Sequence, residues 1–302
     1  MLEEYRVRTD LALESREKFL DDNVEIKGVA IKEDYDEEKD IRTTVVKITS
    51  EQSARIMGKP VGTYITLEAP NMAVPDEDYH REISKELAVH LRQLADLTKE
   101  KSVLIVGLGN RDITPDALGP RVVGNLYINR HVIKEYGVAG TGQEYVHQVS
   151  GIVPGVMAQT GMETQEILEG IISRTKPDLV IAIDALAARS TKRLNCTIQL
   201  TDTGINPGSG VGNYRNGLNE KTLGVPVIGI GVPTVVDAAT IVHDAISHML
   251  ETLEESEIEE FLRELITPSL HSMFVTPKDV DETVKRLSFT ISEGLNLALQ
   301  EV

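Results

Sequence analysis

The chain of 302 residues has a single cysteine, Cys196. That excludes an intrachain disulfide and a thiolate zinc cluster, and it fits a reducing compartment. Positive charge is scarce as well: 31 Lys plus Arg stand against 48 Asp plus Glu, for a formal net charge of −17. A surface so negative repels phosphate backbones and anionic lipid, so neither nucleic acid nor a membrane surface is an expected partner. No apolar run approaches the roughly 18 residues needed to cross a bilayer, and "MLEEYRVRTD" lacks the apolar stretch of a signal peptide. The expected location is cytoplasmic. Also missing are H-E-x-x-H and a G-x-S-x-G elbow. His243 and His248 are five apart, too far round a helix to share a metal, and Ser209 in "NPGSGVGN" has no base beside it.

Short apolar runs alternating with amphipathic segments make up most of the chain beyond Ser102. "VLIVGLG", "LVIAIDA" and "VPVIGIGV" read as buried strands, with "CTIQLTD" as another that Cys196 opens as a small buried residue. Helices are expected over 116–136, 162–175 and 235–254. Upstream, Ile83, Leu87, Leu91 and Leu94 fall at helical spacing within 76–99, behind an acidic first turn. "VEIKGVAI", "TTVVKIT" and "TYITLEAPNM" are strand-like, and the acidic stretch 32–40 between the first two reads as a solvated loop. The fold class is α/β, a mixed, mainly parallel sheet flanked by helices. Residues 24–75 read as a smaller β-rich subdomain and 76–302 as the α/β core.

Two stretches carry candidate chemistry. In "SVLIVGLGNRDITPDALGP" a buried strand enters a Gly-rich turn, and Thr114-Pro115-Asp116 reads as a helix start with a hydroxyl cap. Asp112 stands where a dinucleotide fingerprint needs its third glycine, so no nucleotide cofactor is expected. In "KPDLVIAIDALAARS" a second buried strand ends at Asp184. Open parallel sheets bind ligands beyond the carboxyl ends of their strands, which would set Asp116 and Asp184 across one crevice. The plainer alternatives are a helix-dipole acid and a turn cap. Two adjacent carboxylates share a proton, and such a pair can deprotonate water while protonating a carbonyl oxygen. Asp237 is a third candidate for the crevice. Asp202 in "TDTG" reads as a turn residue, since the βα alternation does not suit a pepsin-like fold. A divalent ion held by the same acids stays open.

"VRTDLALE", "GLGNRDITPDALGP", "GIVPGVMAQTGMET", "KPDLVIAIDALAARS", "TDTGINPGSGVGN" and "PVIGIGVPTVVDA" together resemble the germination protease family of spore-forming bacteria, from about Arg8 to the C-terminus. "VGLGN" is more weakly similar to hydrogenase maturation proteases, implying a phosphorylase/hydrolase-like fold. The resemblance implies an atypical aspartic endopeptidase without a cofactor or metal, with Asp116 and Asp184 as catalytic residues. It further implies a homotetrameric zymogen of the forespore that removes residues 1–10 from a protease domain of 11–302. Its substrates would be small acid-soluble spore proteins. The cut would fall between Asp10 and Leu11, because Thr9-Asp10-Leu11-Ala12-Leu13-Glu14 is similar to the family's cleavage sites, departing most at Leu13. Arg189, Lys192 and Arg193 are candidates to meet the substrate's acids. The segment is expected to be an exposed terminus open to proteolysis. Two other readings use the same residues: a metal-assisted hydrolase or maturation protease, and a non-catalytic protein that binds a peptide or a metal.

Overall fold

The computed structural model describes residues 10–15, 26–97, 100–143, 146–208, 216–242 and 273–300. Among the described residues the buried runs become a sheet of nine strands in the order β1-β2-β3-β7-β8-β6-β4-β5, with β9 (Phe274–Val275) paired to β8. Its parallel part joins β5 (Gln148–Ile152), β4 (Ser102–Gly107), β6 (Leu179–Ala188) and β8 (Val227–Asp237). The antiparallel part runs through β7 (Thr197–Thr201) and β3 (Gly62–Glu68) to β2 (Ile41–Ile48) and β1 (Val29–Asp36). The N-terminal strands thus continue the same sheet through β3 and β7.

Side-chain alternation sends odd and even residues of β6 to different layers. Ile181 and Ile183 join a core with Leu87 and Leu91 of the Glu77–Ala95 helix and Leu287 and Ile291 of the Val280–Gln300 helix. Asp76 caps the first of these helices by accepting from Tyr79 N. Gly294 lets the two helices approach, because a Cβ there would stand 2.6 Å from Leu87 Cδ2. Each fully buried Leu or Ile in this layer contributes about 1.5–3 kcal/mol. Val180 and Ala182 face the other way, toward Leu168 of the Thr164–Thr175 helix.

The structure corrects four expectations about the elements and Cys196. The 116–136 helix is two helices, Leu118–Gly124 and Arg130–Tyr136. Gly124 favours a stop, and the amide of Asn129 is committed to the edge strand, donating to His147 O at 2.9 Å and accepting from Val149 N at 2.7 Å. The 235–254 helix begins only at 238, because Val235 and Val236 still pair with Ala187 and Ala188; from 243 onward, with both His243 and His248, it lies outside the described residues. Half of the acidic stretch 32–40 is strand, since β1 runs to Asp36 and, among the described residues, pairs on one side only, where exposed charge suits an edge. Cys196 stands just before β7, half-buried, its thiol donating to Lys192 O at 2.9 Å, and burial pushes the thiol's pKa up.

Candidate active site

Asp116 ends a 3-10 turn, Thr114–Asp116, that follows β4. Gly109 has φ +106, and a Cβ there would collide with Asp116 O, so only glycine lets the loop close over the turn. The carboxylate accepts from Asn110 N at 2.7 Å. Thr114 does not cap: its hydroxyl donates to Asp281 Oδ1 at 2.7 Å, tying the turn to the C-terminal helix. A third tether comes from the sheet. The β6/β8 register shifts between Leu186↔Pro233 and Ala187↔Val235, and Thr234, the extra residue of this bulge, donates to Pro115 O at 2.7 Å. Residues of the turn come within 8 Å, Cα to Cα, of residues in β6 and β8.

Asp184 is not at a strand end. β6 continues to Ala188, and the acid sits mid-strand, 6% exposed. β4 is what stops there: its last residue, Gly107, pairs with Ile183. Beyond that level β6 and β8 run on together, so Asp184 lies just past the carboxyl end of β4. Asp184 pairs with Gly231 of β8, Gly231 with Gln199 of β7, and Gln199 with Thr66 of β3. Paired residues share a face, so Asp184 and Gln199 rise from the same side of the sheet, flanking a glycine, with Cα atoms about 10 Å apart over two strand spacings.

On that face lies the N-terminal segment 10–15, and the exposed terminus expected for it is overturned. Leu11 and Ala12 are 0% exposed, Leu13 5% and Glu14 1%. Leu11 fills a cluster with Leu186, Ala188 and Val236, while Ala12 packs near Tyr64 and Met57. Asp10 is tied to β6, its N donating to Ala187 O at 3.2 Å and its side-chain Oδ2 accepting from Ala187 N at 3.0 Å, and residues 12–15 then form one helical turn. Gln199 spans the next peptide, its Oε1 accepting from Ala12 N at 2.7 Å and its Nε2 donating to Asp10 O at 3.3 Å. Lys59 Nζ donates to the same Asp10 carbonyl at 2.8 Å.

Glu14 enters a cationic seat. Its carboxylate accepts from Arg189 N at 2.8 Å, Ser190 N at 3.1 Å and Arg193 Nη1 at 3.4 Å. Arg193 also donates from Nε to Glu68 Oε1 at 3.2 Å, so one guanidinium serves two carboxylates. The contribution of Arg189 here is its backbone N–H, and Lys192 is exposed on the adjoining turn. Two rival acids take local roles. Asp202 accepts from Thr63 N at 2.8 Å in a turn, and Asp237 accepts from Ala239 N at 2.7 Å, capping the helix that starts at 238. Ser209 lies outside the described residues. Among the described residues no group of three His, Cys, Asp or Glu stands close enough to hold a metal ion, and no helix is long and apolar enough to cross a membrane.

Lys59, Gln199 and the Ser190 amide escape sequence reasoning, whereas Arg189 and Arg193, the other two partners of Glu14, are among its candidates. The one available signal is Gln199 itself, a long amide in the otherwise apolar "TIQLT" whose polar atoms must find partners once the strand is buried.

Comparison with known proteins places this geometry in a family. The family model described as germination protease matches residues 7–256. A germination protease of Caldanaerobacter subterraneus subsp. tengcongensis is 48% identical, over 97% of this chain and 94% of that protein. The germination proteases of Clostridium tetani and Bacillus cytotoxicus are 46% and 41% identical, covering 97% and 99% of this chain and 95% of each relative. Among solved structures, the [NiFe] hydrogenase maturation protease HycI from Thermococcus kodakarensis KOD1 aligns with 67% of this chain and 98% of its own at 19% identity. Its TM-score of 0.33 is too low to argue from. The chain belongs to the germination protease family, and is by that membership a peptidase of spore germination.

Proposed function

We propose that this protease is made as a zymogen that cuts its own Asp10–Leu11 bond and then cleaves small acid-soluble spore proteins, using Asp116 and Asp184 to activate water. The observation that carries the reading is the seating of that peptide: the Asp10 carbonyl is held by Gln199, whose neighbours along the sheet row are Gly231 and Asp184. One carboxylate takes a proton from water as the hydroxyl adds to the carbonyl carbon. The departing Leu11 amine then takes a proton from the acid pair. The Glu14 seat supports an acidic residue in the fourth place after the cut, as the family's spore-protein substrates carry it. The remaining parts of the proposal, a homotetramer acting in the cytoplasm of the forespore without a cofactor, rest on family membership.

The test is mass spectrometry of the purified full chain under maturing conditions. A new N-terminus at Leu11 is expected for the wild type, and its loss for Asp184→Asn and Asp116→Asn with the melting temperature retained. Efficient processing by either variant would refute the pair.

A further inference from the structure

A peptide carbonyl under attack by water gains a full negative charge on oxygen, and a site that hydrolyses amides needs donors aimed there. The Asp10 carbonyl has two: Lys59 Nζ at 2.8 Å and Gln199 Nε2 at 3.3 Å. We infer that Lys59 and Gln199 form the oxyanion site of this protease and are catalytic residues alongside the two aspartates. The inference rests on the proposed cut between Asp10 and Leu11.

The local structure explains how both donors arrive. The Glu51–Met57 helix starts from a reciprocal Ser50/Ser53 cap and ends at Gly58 in the left-handed region, φ 64. That turn releases the chain at Lys59, whose N–H still bonds back to Ala54 O, and the side chain reaches over the groove to Asp10. Gln199 comes from inside the sheet, and its amide orientation is fixed because Oε1 is occupied by Ala12 N. The two donors meet on one oxygen, one charged and half-buried, one neutral and 7% exposed. With Asp184 in the same row as Gln199, the water-activating acid and an oxyanion donor flank Gly231, whose missing side chain leaves room for that of Leu186.

The electron count is that of plain hydrolysis. Water loses a proton to a carboxylate, its oxygen bonds to the Asp10 carbonyl carbon, and the π pair moves onto the carbonyl oxygen, where Lys59 and Gln199 hold it. The tetrahedral species collapses, the C–N bond breaks, and the Leu11 nitrogen takes the proton from the carboxyl group. On this account the oxygen is stabilised by donors, and the proton of the acid pair goes to the leaving amine.

The experiment follows the first-order release of the Leu11 N-terminus from full-length chains, with hydrogen exchange at the Ala12 amide as a separate measure of seating. Lys59→Met is expected to slow release about 100-fold while Ala12 protection stays at the wild-type level, and Lys59→Arg to recover part of the loss. Gln199→Glu keeps the acceptor for Ala12 N and puts an anion in place of the donor, so it too should stop release without unseating the segment. An unchanged rate in Lys59→Met, or a loss matched by lost Ala12 protection, would overturn the oxyanion site and leave the proposed function standing. If the wild type never yields the Leu11 terminus, both fall.

Discussion

Replacing Glu14 by Gln changes one atom and should unseat the whole segment. In the native seat Oε1 receives Ser190 N and Arg193 Nη1, and Oε2 receives Arg189 N. A Gln side chain has one acceptor oxygen. If that oxygen keeps the Oε1 position, the new NH2 points at the Arg189 N–H, donor against donor, in a place where the native side chain is 1% exposed. The Arg193 contact survives but loses its charge assistance, and a hydrogen bond to a charged group is worth about 1.5–3 kcal/mol against about 1 for a neutral one. Adding the buried unsatisfied donor, about 1–3 kcal/mol, gives a cost of roughly 2–4 kcal/mol to local closure. Exchange of the Ala12 amide, which bonds to Gln199 Oε1, reads that quantity directly, and its protection should fall by about 30- to 1000-fold, at a factor of ten per 1.36 kcal/mol. Protection equal to wild type would refute the account of Glu14 as the anchor of the segment.

Two other outcomes follow from positions already described. Gly231→Ala places a Cβ 2.5 Å from Leu186 Cδ1, and Leu186 shares a cluster with Leu11, so self-cleavage should drop by more than any loss in thermal stability accounts for; normal processing would mean the packing around Leu11 has slack. His147 is fully buried and accepts from Lys101 N at 3.0 Å through Nδ1, and burial, with the Lys101 charge second, lowers its pKa below the ordinary 6.5. The unfolded chain therefore binds that proton more readily. Stability should be full above pH 6.5 and decline as pH falls below it, and His147→Gln should flatten this slope in melting experiments; an unaltered slope would assign it to other groups.

The buried strands were legible because parallel strands covered on both faces leave continuous apolar runs, and Asp184 stood out as a charge within one of them. The length of that strand was hidden. "ALAA" carries no strand propensity of its own, and it is extended here because β8 runs alongside and the segment 10–15 pairs with Ala187. The same cause hid the groove: Gln199 and Asp10 are 189 positions apart, and only the sheet order brings them together. Thr114 misled because hydroxyl caps are read locally, whereas its partner, Asp281, lies in the C-terminal helix.

The seat also distinguishes an intact chain from a severed one. An amide is neutral, and the groove around Asp10 and Leu11 suits a neutral link: Leu11 is fully buried among aliphatic side chains and its neighbouring carbonyl is spent on two donors. Hydrolysis at neutral pH would turn that link into a carboxylate beside Lys59 and an ammonium at Leu11. The first is tolerable, while the second is a charge born inside an aliphatic pocket, where desolvation costs several kcal/mol. The same wall that grips the unbroken segment would therefore press the new chain end toward water, and clear the groove for the next substrate.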